Sequence, residues 1–257
     1  NFAKGAMDAS IAIDQFKIKL DTVSGTAGTG AQAIRYLNEA ATRLGLPLET
    51  SIDQFGKISA AMLQSGRDMD DVKRVFEGFG TAFRVLGASS AQVARGFTAV
   101  AQTFQKGTVS MEELRQQLGE IIPAFGMLAD ALGTNGAELS KMIANGEISA
   151  NAFLKLADKM TEKFGPGLKA ALLSAQGSLI ALENSLFRVQ AVAGANIFAS
   201  LNQGILSFAR TLESADMNNF IQGISTLIGL VGQGLAGAFN IVISSFSAIT
   251  TGVNLIV

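Results

Sequence analysis

The chain is 257 residues long, carries 20 basic and 21 acidic side chains for a formal charge of −1, and contains neither histidine nor cysteine. Balanced charge leaves no electrostatic footprint for nucleic acid. The two missing residue types exclude imidazole general bases, serine–histidine triads, disulfides, thiolate metal sites and cysteine nucleophiles, so no cofactor or metal is expected.

Hydrophobic residues make up 48% and charged residues 16%, with a mean hydropathy of +0.34. That is greasy, yet too evenly mixed for a polytopic membrane protein. Three prolines and no tryptophan, among many Ala, Leu, Gln and Glu, favour helix. The chain opens "NFAKGAMDAS", without an initiator methionine or the layout of a signal peptide, and stops on "VNLIV". It reads as a fragment of something longer. The first twenty residues, with Phe2, Ile11, Ile13, Phe16, Ile18 and Leu20, fit either helix or strand. "DTVSGTAGTGAQ" follows as a flexible connector; its Gly25, Gly28 and Gly30 precede no Gly-Lys-Ser/Thr, so a phosphate loop is set aside. Residues 1–45 form an N-terminal helical and linker segment.

Residues 46–164 read as a module of short helices with legible ends. Ser51 with Gln54, Ser89 with Gln92, and Asn135 with Glu138 each give a cap followed three residues later by a side chain able to reach back. Apolar stripes agree: Val93, Phe97, Val100 and Phe104; Phe125, Leu128, Ala129 and Leu132; Phe153, Leu156, Ala157, Met160 and Phe164. These are core faces. Between them, Lys106–Thr134 reads "KGTVSMEELRQQLGEIIPAFGMLADALGT". Gly107 ends one helix, Ser110 caps the next, Glu113 closes the capping box, and Val109 staples onto Leu114. Pro123 starts a second helix or kinks a longer one, and Gly133 stops it. The opening of this stretch returns as "NGEISANAF", with Gly146, Ile148 and Ser149 in the places of Gly107, Val109 and Ser110. Both turns solve the same capping problem, and two copies fall short of a solenoid.

Gly165-Pro166-Gly167 marks a boundary. Over 165–216 the steps of Leu168, Leu172, Ala175, Leu179, Leu182, Leu186, Val189 and Ala193 alternate between four and three, a heptad seam. Ile197, Leu201, Ile205, Phe208 and Leu212 continue it after a stutter. Ala171, Leu173, Ile180, Phe187 and Val192 beside the seam are apolar too, so this helix is expected to be buried on several faces in an assembly larger than a dimer. No charge appears in 217–257, where Gly229, Gly232, Gly234 and Gly237 suit close helix approach in lipid or in an assembly. Its length permits a membrane span, without flanking Lys or Arg to set a topology.

Chemistry is sparse. Glu112, Glu113, Glu120 and Asp130 have the composition of a glycosidase carboxylate pair. Glu112 and Glu113, however, sit in a first helical turn that favours acids, while Glu120 and Asp130 look solvated. From Gly107 to Gly165 five basic residues face eight acidic ones, a net −3 and the wrong sign for reading phosphates.

The run from Ser89 to Met160 resembles the tape measure domain of tailed-phage and prophage tail proteins. The likeness is carried, in order, by the capped helix Ser90–Gly107, "GTVSMEELRQ" at Gly107–Gln116, Pro123, Leu132–Leu139, and Gly146–Ser149. It covers roughly Leu46–Phe164; Gln116–Glu120 fits the pattern loosely. The resemblance implies an all-α structural protein of the virion that lies in the tail tube or tail tip. Such a protein sets tail length in assembly, is ejected ahead of DNA, and helps the genome through the host envelope. It also implies tail tube and baseplate partners. The seam adds self-association, for which three copies suit a tail axis, and no specific nucleic-acid recognition is expected. The alternative is a membrane-inserting helical protein of pore-forming type; a carboxylate-based wall hydrolase ranks third.

Overall fold

The computed structural model describes residues 2–213, and the uncharged segment 217–257, including Gly229, Gly232, Gly234 and Gly237, lies outside them. The described chain is all-helical: α1 (Phe2–Ser24), α2 (Thr29–Leu44), α3 (Leu48–Gln64), α4 (Met69–Val85), α5 (Ser90–Lys106), a π-helix (Glu112–Gln117), α6 (Ala124–Leu132), α7 (Gly136–Ala144), α8 (Ala152–Phe164), a 3-10 turn (Gly165–Gly167), α9 (Leu168–Leu172) and α10 (Ala175–Glu213). The ambiguous first twenty residues are helix. Gln15–Asn184 forms one compact unit, and the described residues 2–14 and 185–213 belong to a second.

The larger unit is organised by a relay of aromatic rings. Phe16 of α1 meets Phe55 of α3, Phe55 meets Phe76 of α4 edge-on at 5.3 Å, and Phe76 stacks on Phe97 of α5 at 4.9 Å. From Phe97 the relay returns through Phe83 and Phe79 on α4 to Phe153 of α8 and Phe104 of α5. Each such pair contributes about 0.5–1.5 kcal/mol beyond area burial. The stripes Val93–Phe104 and Phe153–Phe164 are buried here; Phe125 and Leu132 are half-buried.

Glycines let the helices close. Gly78 of α4 lies directly against the backbone of Ala157 in α8, and Gly96 of α5 lies beneath the ring of Phe83. The connector after α1 is an ordered turn in which the Asp21 carboxylate accepts the N–H groups of Gly28 (3.1 Å) and Gly30 (2.7 Å). These two bonds hold its pKa below the usual carboxylate value. A carboxylate of the same chain thus takes the position an anion would take at the start of α2.

In the smaller unit α1 and α10 meet through small side chains. Ala6, Ala193 and Ile197 are buried together, and Gly194 presses on the Ala6 carbonyl.

The helix starts divide. Ser89 and Gln92 form the full capping box, with Gln92 N–H donating to Ser89 Oγ (3.3 Å) and Ser89 N–H to Gln92 Oε1 (2.9 Å). Asn135 Oδ1 accepts from Ala137 and Glu138 at 3.0 Å, but the Glu138 carboxylate accepts from the Thr134 hydroxyl instead of returning to the cap. Ser51 is not a cap. Helix α3 begins three residues earlier, directly after Pro47, whose fixed φ suits a helix entrance, and Ser51 is buried in its second turn. Asp68 caps α4, accepting from Asp71 N–H at 2.8 Å. The helix expected after Ser110 is a π-helix, in which Leu118 N–H donates to Glu113 C=O at 2.9 Å. Among the described residues no helix is long and apolar enough to cross a membrane, so the pore-forming alternative gains no supporting helix there.

Two glycine substitutions should move stability in opposite directions. Gly78→Ala should cost about 1–3 kcal/mol by forcing α4 from α8. Gly126→Ala, where a Cβ meets nothing within 4 Å on α6, should stabilise by about 0.5–1 kcal/mol. Urea denaturation of both variants beside the parent chain measures the difference.

Candidate functional site

The two echoed segments pair with each other. Gly107 and Gly146 both adopt left-handed backbone (φ +77° and +71°), a conformation open to glycine, and turn the chain out of α5 and α7. Val109 N–H then donates to Ile148 C=O and Ala150 N–H to Gly107 C=O, each at 2.9 Å, with Thr108 opposite Ser149 in an antiparallel bridge. Val109 and Ile148 point inward and are buried; Ser149 is exposed, and α8 starts three residues after it. The repeat in sequence is one clip closed on itself, a second role beside the two helix ends.

Behind the clip sits a buried acid. The π turn directs Glu113, Leu114 and Leu118 inward, and Glu113 is fully buried. Lys106 Nζ donates to Glu113 Oε1 and more distantly, at 3.5 Å, to Glu112 Oε2; the Ser110 hydroxyl donates to Glu113 Oε2. The Ser110 hydroxyl is therefore a donor to the acid and not a cap, while its carbonyl accepts from Leu114 N–H at 3.1 Å. Burial pushes the Glu113 pKa up, but the Lys106 and Ser110 bonds outweigh it and hold the carboxyl below its usual value. Lys106 is raised in turn, chiefly by its bond to Glu113. Pro123 stands at the N-cap of α6 and Gly133 ends it in left-handed conformation. Arg115 lies over the Phe125 ring, 3.9 Å from its centroid.

A cleft of about 550 Å³ between α4 and α8 is lined by Lys73, Arg74, Glu77, Asp158, Thr161 and Glu162. Its charges answer one another. Arg74 forks onto Asp158, Glu77 accepts from Arg43 and from the Tyr36 hydroxyl (2.9 Å), Lys73 binds Asp70, and Lys159 binds Glu162. Such a surface brings helices together and presents no aligned acid, base and nucleophile. Glu120 and Asp130 are exposed and lie outside the cleft.

The predicted seam is divided along α10. Ala175, Leu179, Leu182 and Leu186 face solvent, with Leu179 62% and Leu182 57% exposed. Leu168, Leu172 and Val189 are half-buried, whereas Ala193 and Ile197 are buried within the chain's own second unit. The side chain of Leu201 lies outside the described ones. The face that packs inward near the start of α10 is instead Gly177, Ile180 and Asn184, offset from the leucines by half a helical circumference.

Sequence reasoning passed over two buried polar residues. Arg84, 3% exposed at the end of α4, donates to Gln176 Oε1 (3.0 Å), Ser174 Oγ (3.1 Å) and the Ala171 carbonyl. Burial lowers its pKa. Asn184, 4% exposed, donates to Leu46 C=O (2.8 Å) and accepts from Leu48 N–H (2.6 Å), so it caps α3 from a remote helix. No local pattern announces either; only a polar residue in an apolar helical face hints at Asn184.

A family model described as tape measure protein matches residues 4–194. Over 81 residues the chain is 35% identical to a protein of Salmonella phage Felix O1 (isolate Felix O1-VT1) described as a probable tape measure protein. That alignment takes in 31% of this chain and 11% of the phage protein, so the chain spans only a small part of that relative. No solved structure matches.

The Glu113 pair sets a pH dependence. A carboxyl whose folded pKa lies below its ordinary 4.5 adds stability above that pH and loses it as pH falls through the folded value. Glu113→Gln should destabilise by about 1–3 kcal/mol at neutral pH and flatten the acid limb of the stability curve. Urea midpoints taken at intervals between neutral and acid pH test both.

Proposed function

The chain belongs to the tape measure protein family, and on that premise we propose that it is a structural part of a phage tail, lying in the tail tube or tail tip. In this reading the full-length protein sets tail length during assembly and leaves ahead of DNA, helping the genome through the host envelope. Its partners are tail tube and baseplate proteins. The observation that carries the proposal is the family match over 4–194, together with a cleft between α4 and α8 whose lining charges are paired.

The surface proposed for self-association is the exposed row Ala175, Leu179, Leu182 and Leu186. Its alternation of four and three residues is the spacing that like helices need to interlock, and Gly177, Ile180 and Asn184 on the opposite side already pack inward. The occupant is a second copy of this chain, with three copies as the arrangement suited to a tail axis. No enzymatic step and no specific nucleic-acid contact form part of the proposal.

Two experiments test it. In the phage or prophage, in-frame removal of helical segments from the full-length protein should shorten tails by about 1.5 Å per residue, measured by electron microscopy; unchanged tail length would overturn the length-setting role. In the isolated chain, Leu182→Glu should abolish self-association in sedimentation while leaving the helical signal intact. Ala193 is unsuited to such a test, because it is buried within the chain.

A further inference from the structure

We propose that Arg84 and Asn184 form a two-point clasp that selects which of two apolar faces of α10 docks on the helical body. The problem they solve is written in residues 175–184. Leu179 and Leu182 occupy one side of the helix, Gly177, Ile180 and Asn184 the other. By burial of apolar area alone the leucine side is at least as good a docking face. Yet Ile180 is 8% exposed, whereas Leu179 and Leu182 stand in solvent.

The polar contacts break the tie. Asn184 satisfies both free backbone groups around Pro47, the Leu46 carbonyl and the Leu48 N–H. Eight residues earlier Gln176 accepts from Arg84 and donates to the Ala88 carbonyl at 3.3 Å. Arg84 also binds the end of α9 through Ala171 and Ser174, and its Nε finds no acceptor among the described protein atoms. Gly45 and Gly177 make room for it: a Cβ at Gly45 would lie 2.9 Å from Nε, and one at Gly177 would lie 2.7 Å from Nη2.

Docking the leucine side would turn Asn184 outward. It would leave a buried N–H, a buried carbonyl and a buried guanidinium short of partners, the costly outcome for groups already out of water. Buried polar groups fix register in the same way in paired helices. The clasp thus holds the leucine row outside. Its use in presenting that row to another copy rests on the self-association proposed above; the clasp itself does not.

The chain has no cysteine, so an introduced one reports alone. Ile180→Cys and Leu182→Cys are each placed in the otherwise unchanged chain and in the chain carrying Arg84→Met with Asn184→Leu, and maleimide labelling rates are read on the monomeric fraction. With the clasp intact the thiol at position 182 should react at least about tenfold faster than the thiol at position 180. With the clasp removed the two rates should converge or reverse, while circular dichroism stays helical. A rate ratio unchanged by clasp removal, or equal rates with the clasp intact, overturns the proposal. If the double variant loses its helical signal, Arg84→Met alone and Asn184→Leu alone, each of which removes one point of the clasp, are read in the same way and by the same criteria. Disulfide formation between copies at position 182 is scored separately. Its absence counts against self-association and leaves the labelling ratio to decide the clasp.

Discussion

Everything in the larger unit depends on aromatic rings reaching one another across helices that approach closely. The relay from Phe16 through Phe55, Phe76, Phe97, Phe83, Phe79 and Phe153 to Phe104 touches α1, α3, α4, α5 and α8. It works only because Gly78 and Gly96 let backbone and ring come together where any side chain would hold them apart. With no cysteine to cross-link the fold, this packing and the buried polar contacts around it carry the stability. Helix α4 is the hub, supplying three of the rings, the Gly78 contact and Arg84.

Around that hub the polar groups divide by task. Asp21 closes the turn into α2, Asn184 closes the start of α3, and Glu113 with Lys106 and Ser110 fixes the π turn beneath the clip. Asp21 and Asn184 satisfy backbone groups that helix geometry leaves without partners, whereas Glu113 is held by side-chain donors. In the charged cleft between α4 and α8, Arg74–Asp158 and Arg43–Glu77 join helices, while Lys73–Asp70 and Lys159–Glu162 lie within one helix each.

Local rules were readable in the sequence, and long-range ones were not. The Ser89–Gln92 box, the Asn135 cap and the Gly107 and Gly133 ends all rest on neighbours within a few residues, where propensity and hydrogen bonding act alone. Ser51 misleads because Asn184, 136 residues from Leu48 in the sequence, supplies the α3 cap from outside and frees the helix to begin at Leu48. The π turn was unreadable for a similar reason: a helix widens there so that Glu113 meets Lys106, a pairing with no periodic trace. The heptad pattern was visible, but not that the chain itself would bury Ala193 and Ile197 while leaving Leu179 and Leu182 outside. The pairing of "GTVS" with "GEIS" was present as an echo, and the echo alone gave no hint that the two copies touch.

The clip has a mechanical consequence. Its two backbone bonds lie across an antiparallel pair whose chain enters at Gly107 and leaves at Ala150 on the same side. Tension drawn along the polypeptide therefore reaches the bond from Ala150 to Gly107 first and the bond from Val109 to Ile148 only after that one has parted. Bonds loaded in turn yield at a lower force than bonds loaded together. Once both are open and the buried side chains between them, Leu114, Leu118, Leu128 and Leu139 among them, have been pulled from the core, the stretch from Ser110 to Glu147 adds on the order of 130 Å of contour length. Under load the clip opens from its outer end inward, and the packed core behind it is loaded only afterwards.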